Sequence, residues 1–563
     1  MTTSRTLRAT VAFSSMAALA GAAPPPRDFS AYARPVPAHV VADLPFAMTA
    51  PVPPSFPDRA FSVAEYGAVP DGVTLNTKAF AAAIAACVKA GGGHVVVPPG
   101  VWRTGPIELQ SGVDLHLDRG ALVAFSRRFE DFPVVPRYPG AREHRVMSPI
   151  TAYGKAGIAI TGKGVFDGSG DAWVYAKKDK LSPAEWKRLL ARGGIVSPNG
   201  NEWWPSREAM EGAALVADLR ERHDATAADW AKAREFLRAD MVNIRNCRDV
   251  LIDGPTFRNS PHFTIHPVEV ENLIIRDVAV RNPWNSQNAD GIDIGPCRNV
   301  VVYDTLVDTG DDGICMKPGR PLTRKEWAVA CENVVIADST VFRAHGGFVI
   351  GSETHGGLRN VLVRNVTFVE TDIGLRFKSA RGRGGVVEKV YVRGVAMKDI
   401  GTGAVVFQTT YGGAAPGEET AAGTPRPAST DRIPQFKDFF IEDVACDGAR
   451  EAMTIEGLPE APVRGIHFRN VVIAAQQGAR LVETDGIRLS GFQILPSSGP
   501  VLSLERTRDL VLERGTVPAG VETFVSVVDG ETQGVRVRGM DLRGLRAPFA
   551  LAPVARKDAV IQE

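Results

Sequence analysis

Cysteine is scarce, with six among 563 residues, and net charge is nearly absent, because 65 Lys and Arg are set against 64 Asp and Glu. Three of the cysteines, Cys247, Cys297 and Cys331, begin equivalent repeat units, so mostly free, buried thiols are expected rather than a disulfide framework. Balanced charge excludes a global field for nucleic acid or an anionic membrane, and any charge selectivity must be local. Long apolar runs are missing as well. Beyond the start of the chain no segment approaches the ~20 apolar residues of a membrane span. At that start, Arg5 and Arg8 precede an Ala-rich stretch and Ala20-Gly21-Ala22, just before Pro24-Pro25-Pro26. This reads as a signal peptide over residues 1–23, and implies a periplasmic or secreted protein. Helical periodicity is also sparse. Between short β-branched runs lie Gly, Asn and Asp, not the dozen or more helical residues that a helix-linked parallel sheet requires.

What the chain does have is a repeat. A five-residue pattern, usually with Gly second and apolar residues third and fifth, occurs at Asp290-Gly291-Ile292-Asp293-Ile294 and Asp312-Gly313-Ile314-Cys315-Met316. It returns at Gly346-Gly347-Phe348-Val349-Ile350, Ile373-Gly374-Leu375-Arg376-Phe377 and Thr402-Gly403-Ala404-Val405-Val406. The intervals of 22, 34, 27 and 29 residues are those of a solenoid whose coils stack equivalent residues. A second signal, two residues before an Asn, Asp or other residue and then alternating apolar positions, begins at Cys247, Val270, Cys297, Cys331, Leu358 and Val387. It continues at Phe436, Val463, Thr484, Thr507 and Thr532, close to the C-terminus. A parallel β-helix fits best and a propeller poorly.

The expected organisation is a Pro-rich connector over 24–58 and a β-helix over 59–563. Phe61 to Gly67 reads as strand and turn, and Thr77 to Ala90 as a helix capping the first coil. A helical insertion is expected at about 177–240. Ser182-Pro183-Ala184-Glu185 forms a capping box there, and Thr226-Ala227-Ala228-Asp229 opens a second helix. A Gly- and Pro-rich loop insertion is expected at about 412–434.

Stacking the coils gathers chemistry. Asp290 and Asp312 share the first position, and the position before it holds Asp311 and then His345. Asp293 and Arg376 share the fourth position, and His266, Lys317 and Lys378 follow the pattern. Three carboxylates within one or two rungs repel each other, so at least one should hold its proton near neutral pH. That is what acid/base cleavage of a glycosidic bond needs, and the neighbouring cations point to an anionic substrate. Each single Asp-Gly has an ordinary turn role to weigh against this. Adjacent aspartates can also ligate Ca²⁺, but the cations beside them argue against a metal.

At these residues the sequence resembles glycoside hydrolase family 28, the polygalacturonase family. Its four blocks correspond to Asn288-Ala289-Asp290, Gly310-Asp311-Asp312, Ala344-His345-Gly346 and Arg376-Phe377-Lys378, with departures only at Ala289, Ala344 and Phe377. The resemblance, closest to the bacterial exo-acting branch, implies an all-β, right-handed, single-stranded parallel β-helix of the pectin-lyase-like kind. It implies hydrolysis with inversion, without metal or other cofactor. Asp311 would be the general acid, Asp290 and Asp312 would activate water, and His345 would tune the acid. Arg376, Lys378, Lys317, Tyr411 and Asn288 would bind substrate, a pectic polysaccharide or oligogalacturonide. Neither nucleic acid nor membrane is an expected partner. Exo-action is the favoured mode, with endo-polygalacturonase and rhamnogalacturonan hydrolase as alternatives. A Ca²⁺-dependent pectate lyase or a noncatalytic polysaccharide-binding β-helix stand further off.

Overall fold

A computed structural model of the chain describes residues 27–411 and 432–563. The expected signal peptide and almost all of the loop insertion lie outside the described residues.

The fold grows from one local rule. Each coil alternates short strands with a residue in the left-handed backbone region, which Asn, Asp and Gly tolerate best. Asn272, Asn299, Asn333 and Asn360 take φ of 59°, 53°, 58° and 59°. Their side chains form a ladder: the amide of Asn299 donates to Asn272 and that of Asn333 to Asn299, both at 3.2 Å, and that of Asn360 to Asn333 at 3.0 Å. The bond from one coil to the next sets the register of the strands that follow it. Cys297–Tyr303 accordingly pairs in parallel with Val270–Arg276 on one side and with Cys331–Phe342 on the other. The cysteines that begin these units, Cys297 and Cys331, pair directly, and all six cysteines are free and buried.

Alternation along the strands sends every second side chain inward, and the inward residues form one continuous apolar core from Val63 to Ala559. Rings stack inside it: Phe125, Phe166 and Phe257 succeed one another at 6.3 and 5.4 Å. The N-terminal end is closed by the helix Thr77–Lys89, which buries Phe80, Ile84 and Cys87 in that core. The architecture is a parallel β-helix. The fifth copy of the five-residue pattern sits one residue later than the sequence interval places it, because Leu375 pairs with Val405 and not with Ala404. Ala404, Val405 and Phe407 are all fully buried, so apolar content gives no register there. Phe407 decides it by packing on Phe377 at 4.4 Å.

Residues 27–58 are more than a connector. They lie along the outer face of one sheet, where Val40, Phe46 and Phe56 cover Leu251, Ile274, Val301 and Val335. Beneath them the fully buried Arg276 donates to Asp253 at 2.7 Å, to the carbonyl oxygens of Arg34 and Tyr32 at 2.8 and 2.9 Å, and to the Tyr303 hydroxyl at 3.1 Å. Between two coils the chain leaves the solenoid for the helices Pro183–Leu190, Arg207–Glu221 and Ala227–Lys232. The capping box read from the sequence forms at Ser182 with Glu185, and the second helix start closes a capping box too, at Thr226 with Asp229. A small antiparallel sheet that includes Glu202–Trp204 joins these helices.

Candidate active site

Strand alternation settles which side chains share a face. Ile292, Ile294, Ile314, Met316 and Phe377 point into the core, so Asp293, Cys315, Lys317, Arg376 and Lys378 project outward together. Asp290, Asp311 and Asp312 sit in the turns that lead into these strands. One carboxylate oxygen of each lies within 4.8 Å of the others.

Asp311 is positioned by backbone. The N–H groups of Asn288 and Asp312 donate to its two oxygens, both at 3.0 Å. Nδ1 of His345 lies 3.5 Å from Asp311. On the other side of the imidazole, Nζ of Lys180 is 2.8 Å from Nε2. A lysine there can only donate, so Nε2 accepts and the ring proton is left on Nδ1, facing Asp311. Lys180 comes from the insertion, just before the Ser182 capping box.

Cations are threaded among the acids. Nζ of Lys317 lies 3.3 Å from Asp290, 3.6 Å from Asp293 and 3.9 Å from Asp312. It is thus held among three carboxylates. Nζ of Lys378 lies 2.8 Å from one oxygen of Asp312, and Arg376 lies 3.4 Å from the other. The half-exposed ring of Tyr411 lies over both, 5.2 Å from Lys378 Nζ and 5.6 Å from the Arg376 guanidinium carbon. Asn288 accepts from Arg238 at 2.9 Å, and that guanidinium lies 5.6 Å from the Tyr175 ring, which stacks on Trp204 at 4.3 Å. His266 donates to Asp240 at 2.8 Å, one coil before Asp293. Arg381, from the Gly-rich run 381–385, pairs with Glu460 at 2.6 Å.

The charges divide the three acids. Burial, reinforced by Asp311 and Asp312 and opposed by Lys317 and Lys378, pushes Asp290 up to about 8. Asp293 is also raised, first by burial and then by Asp290. For Asp311 burial pushes upward too, but the hydrogen bond from His345, the Asn288 N–H and Lys378 outweigh it and hold this acid below the usual range. Asp312 is likewise held down, by Lys378, Lys317 and Arg376 against burial. In the unliganded protein the proton therefore rests on Asp290, not on Asp311. The oxygen spacing would suit a divalent cation, but the ammonium groups of Lys317 and Lys378 already supply positive charge among those oxygens.

Residues 226–488 match the model for Glycosyl hydrolases family 28. The chain belongs to glycosyl hydrolase family 28. An exo-poly-alpha-D-galacturonosidase of Dickeya chrysanthemi is 30% identical over 412 residues, covering 71% of this chain and 64% of that enzyme. A probable polygalacturonase of Vitis vinifera is 26% identical over 454 residues, covering 78% of this chain and 81% of that protein. Among solved structures, a hyperthermoactive exopolygalacturonase from Thermotoga maritima superposes with a TM-score of 0.60 at 28% identity, over 76% of this chain and 92% of that one. This glycoside hydrolase adds to the family's motif blocks several residues that sequence reasoning missed. Lys180, Arg238, Tyr175 and Asp240 all reach the site from in or beside the insertion. There the sequence signalled only the helix starts at Ser182 and Thr226.

Proposed function

We propose that this family 28 enzyme removes α-linked galacturonate units from the ends of pectic oligosaccharides by hydrolysis. The observation that carries the reading is the trio Asp290, Asp311 and Asp312 sharing one proton between flanking cations. Arg376 and Lys378, under the Tyr411 ring, offer a site for a uronate carboxylate. When that carboxylate engages Lys378, it neutralises one of the charges that, with His345 and the Asn288 N–H, hold Asp311 down. The shared proton then moves from Asp290 to Asp311, which gives it to the glycosidic oxygen as the bond to the anomeric carbon breaks. Water attacks that carbon, and the now ionised Asp290, with Asp312, accepts the water's proton.

Carboxylates this close match the ~5 Å spacing of retaining glycosidases and not the ~6.5–9.5 Å of inverting ones. Inversion is nevertheless our reading, because here two carboxylates on one side hold the water, and a single base across the ring is not needed. The anomer first released, followed by NMR, tests this: retained configuration rejects the water-activating pair. Exo-action is supported by the names of the Dickeya and Thermotoga proteins and by an insertion that reaches the acid through Lys180. Digestion of polygalacturonate should release one short product from the first time point while viscosity hardly changes. A ladder of intermediate sizes would mean internal cleavage.

A further inference from the structure

Among the described residues most buried cations have partners, and Arg245 does not. Arg245 is 5% exposed, and among the described residues its guanidinium makes no hydrogen bond or ion pair. Close by, Arg145 has a buried, unpartnered Nε, and its single hydrogen bond runs to Asn243 at 2.8 Å. The acids that influence these groups are engaged elsewhere. Asp240 accepts from His262, His266 and Asn243 at 2.8, 2.8 and 2.9 Å. Glu269 accepts from the N–H groups of Leu322 and Thr323 and from the Thr323 hydroxyl. A third guanidinium, Arg137, is paired with Glu143 at 3.0 Å. A buried guanidinium left without an anion is costly, and such a group calls for an explanation.

Its place in the solenoid supplies one. In the strand Val242–Arg245, Val242 and Ile244 enter the core, so Asn243 and Arg245 face outward. Asn243 pairs with His266, and Ile265 pairs with Ile292, which puts His266 in register with Asp293. Arg245 therefore stands on the same face, two coils toward the N-terminus from Asp290 and Asp293 and three from Asp311 and Asp312, a stacking distance of about 10–15 Å at ~4.8 Å per coil. That is roughly the reach of two linked sugar rings. Arg376 and Lys378 lie on the opposite side of the aspartates.

We infer that Arg145 and Arg245 form a second carboxylate-binding site, which holds a further uronate of the same substrate chain. The inference rests on the galacturonate reading above. The planar guanidinium forks match a carboxylate in two-pronged geometry, and the substrate supplies the anion that the chain itself withholds. A substrate of two residues spans the cleaved bond without filling this site, and one of three residues fills it.

The test compares kcat/KM on trigalacturonate and digalacturonate. The wild-type enzyme should prefer the longer substrate at least tenfold. Arg245→Gln should lose that preference, chiefly through KM, and Arg145→Gln should weaken it. The melting temperature of unliganded Arg245→Gln should be unchanged or higher, since an unpaired buried charge is gone; a lower one would assign Arg245 a structural role and overturn the site. A wild-type enzyme without length preference, or a variant that keeps it, would overturn it too. Failure of the wild-type enzyme on both galacturonides would instead reject the galacturonate reading.

Discussion

Arg276 and Arg245 are both buried on outer faces of the same solenoid, yet their surroundings are opposite. Arg276 is enclosed by residues 27–58 and meets a carboxylate, two carbonyls and a hydroxyl. Arg245 meets nothing of the kind. The same contrast holds for the acids: Asp253 is paired with Arg276, whereas both oxygens of Asp293 and one of Asp290 are buried without a hydrogen-bond partner. A β-helix offers several similar faces, and repetition alone does not say which one works. The difference lies in what the chain does with each face. One is closed by its own N-terminal segment, with its buried polar groups satisfied. The other keeps polar groups unsatisfied, which costs stability and leaves them for a ligand.

Removing the acid on the open face should have the largest effect. Asp311→Asn should lower kcat on polygalacturonate by about 10³-fold or more, as expected when a general acid is lost, while oligogalacturonide binding by calorimetry persists. Unchanged turnover would leave the groove a binding surface only. On the covered face the expected outcome is reversed. Arg276→Met strands Asp253 and should cost about 3–5 kcal/mol of stability, read by denaturant unfolding, with kcat of the folded fraction unchanged. Replacing Asp253 by Leu in the same protein should restore most of the loss. A fall in kcat with intact stability would break the distinction between the faces.

The raised Asp290 sharpens the comparison by pH. Its folded value of about 8 lies above the ~3.9 of an unfolded aspartate. Below about pH 4 both states hold the proton and pH has no effect through this group. Between about 4 and 8 the unfolded chain releases a proton that the folded chain retains, so stability falls as pH rises, and the fall ends above about 8. Asp290→Asn should remove this slope and raise the melting temperature at pH 7, although activity is lost. Melting curves of the two proteins from pH 5 to 8 that run parallel would place the proton elsewhere.

How far the sequence revealed these faces depended on periodicity. The ladder asparagines and the repeated strand starts carried the register, so the convergence of Asp290, Asp311, Asp312 and His345 was legible from spacing. The fifth copy slipped by one because Ala404-Val405-Val406-Phe407 is apolar throughout and has no alternation to read. Lys180 and Arg238 were hidden because their reach to the site depends on how the insertion folds back. Residues 27–58 showed no period, since their apolar residues are spaced to fit an existing sheet. Arg245 gave no signal of its own: its outward direction was readable from alternation, but the lack of a partner emerges only once every neighbouring acid is placed.

The smallest expected effect concerns the register on which both faces depend. Asn333 accepts one ladder bond and donates another, with φ of 58°. Asn333→Gly keeps that backbone conformation at little steric cost but loses both bonds, for an expected ~1–2 kcal/mol. Asn333→Ala loses the same bonds and also places a Cβ in the left-handed region, adding about 1 kcal/mol. If the ladder only holds neighbouring coils in register, the two variants should differ in stability by that increment, and both should keep wild-type kcat and Arg245-dependent length preference. Equal stability of the Gly and Ala variants would mean that this turn relaxes out of the left-handed region. A change in length preference would mean that the register of the groove rests on this turn more directly than the pairing of whole strands implies.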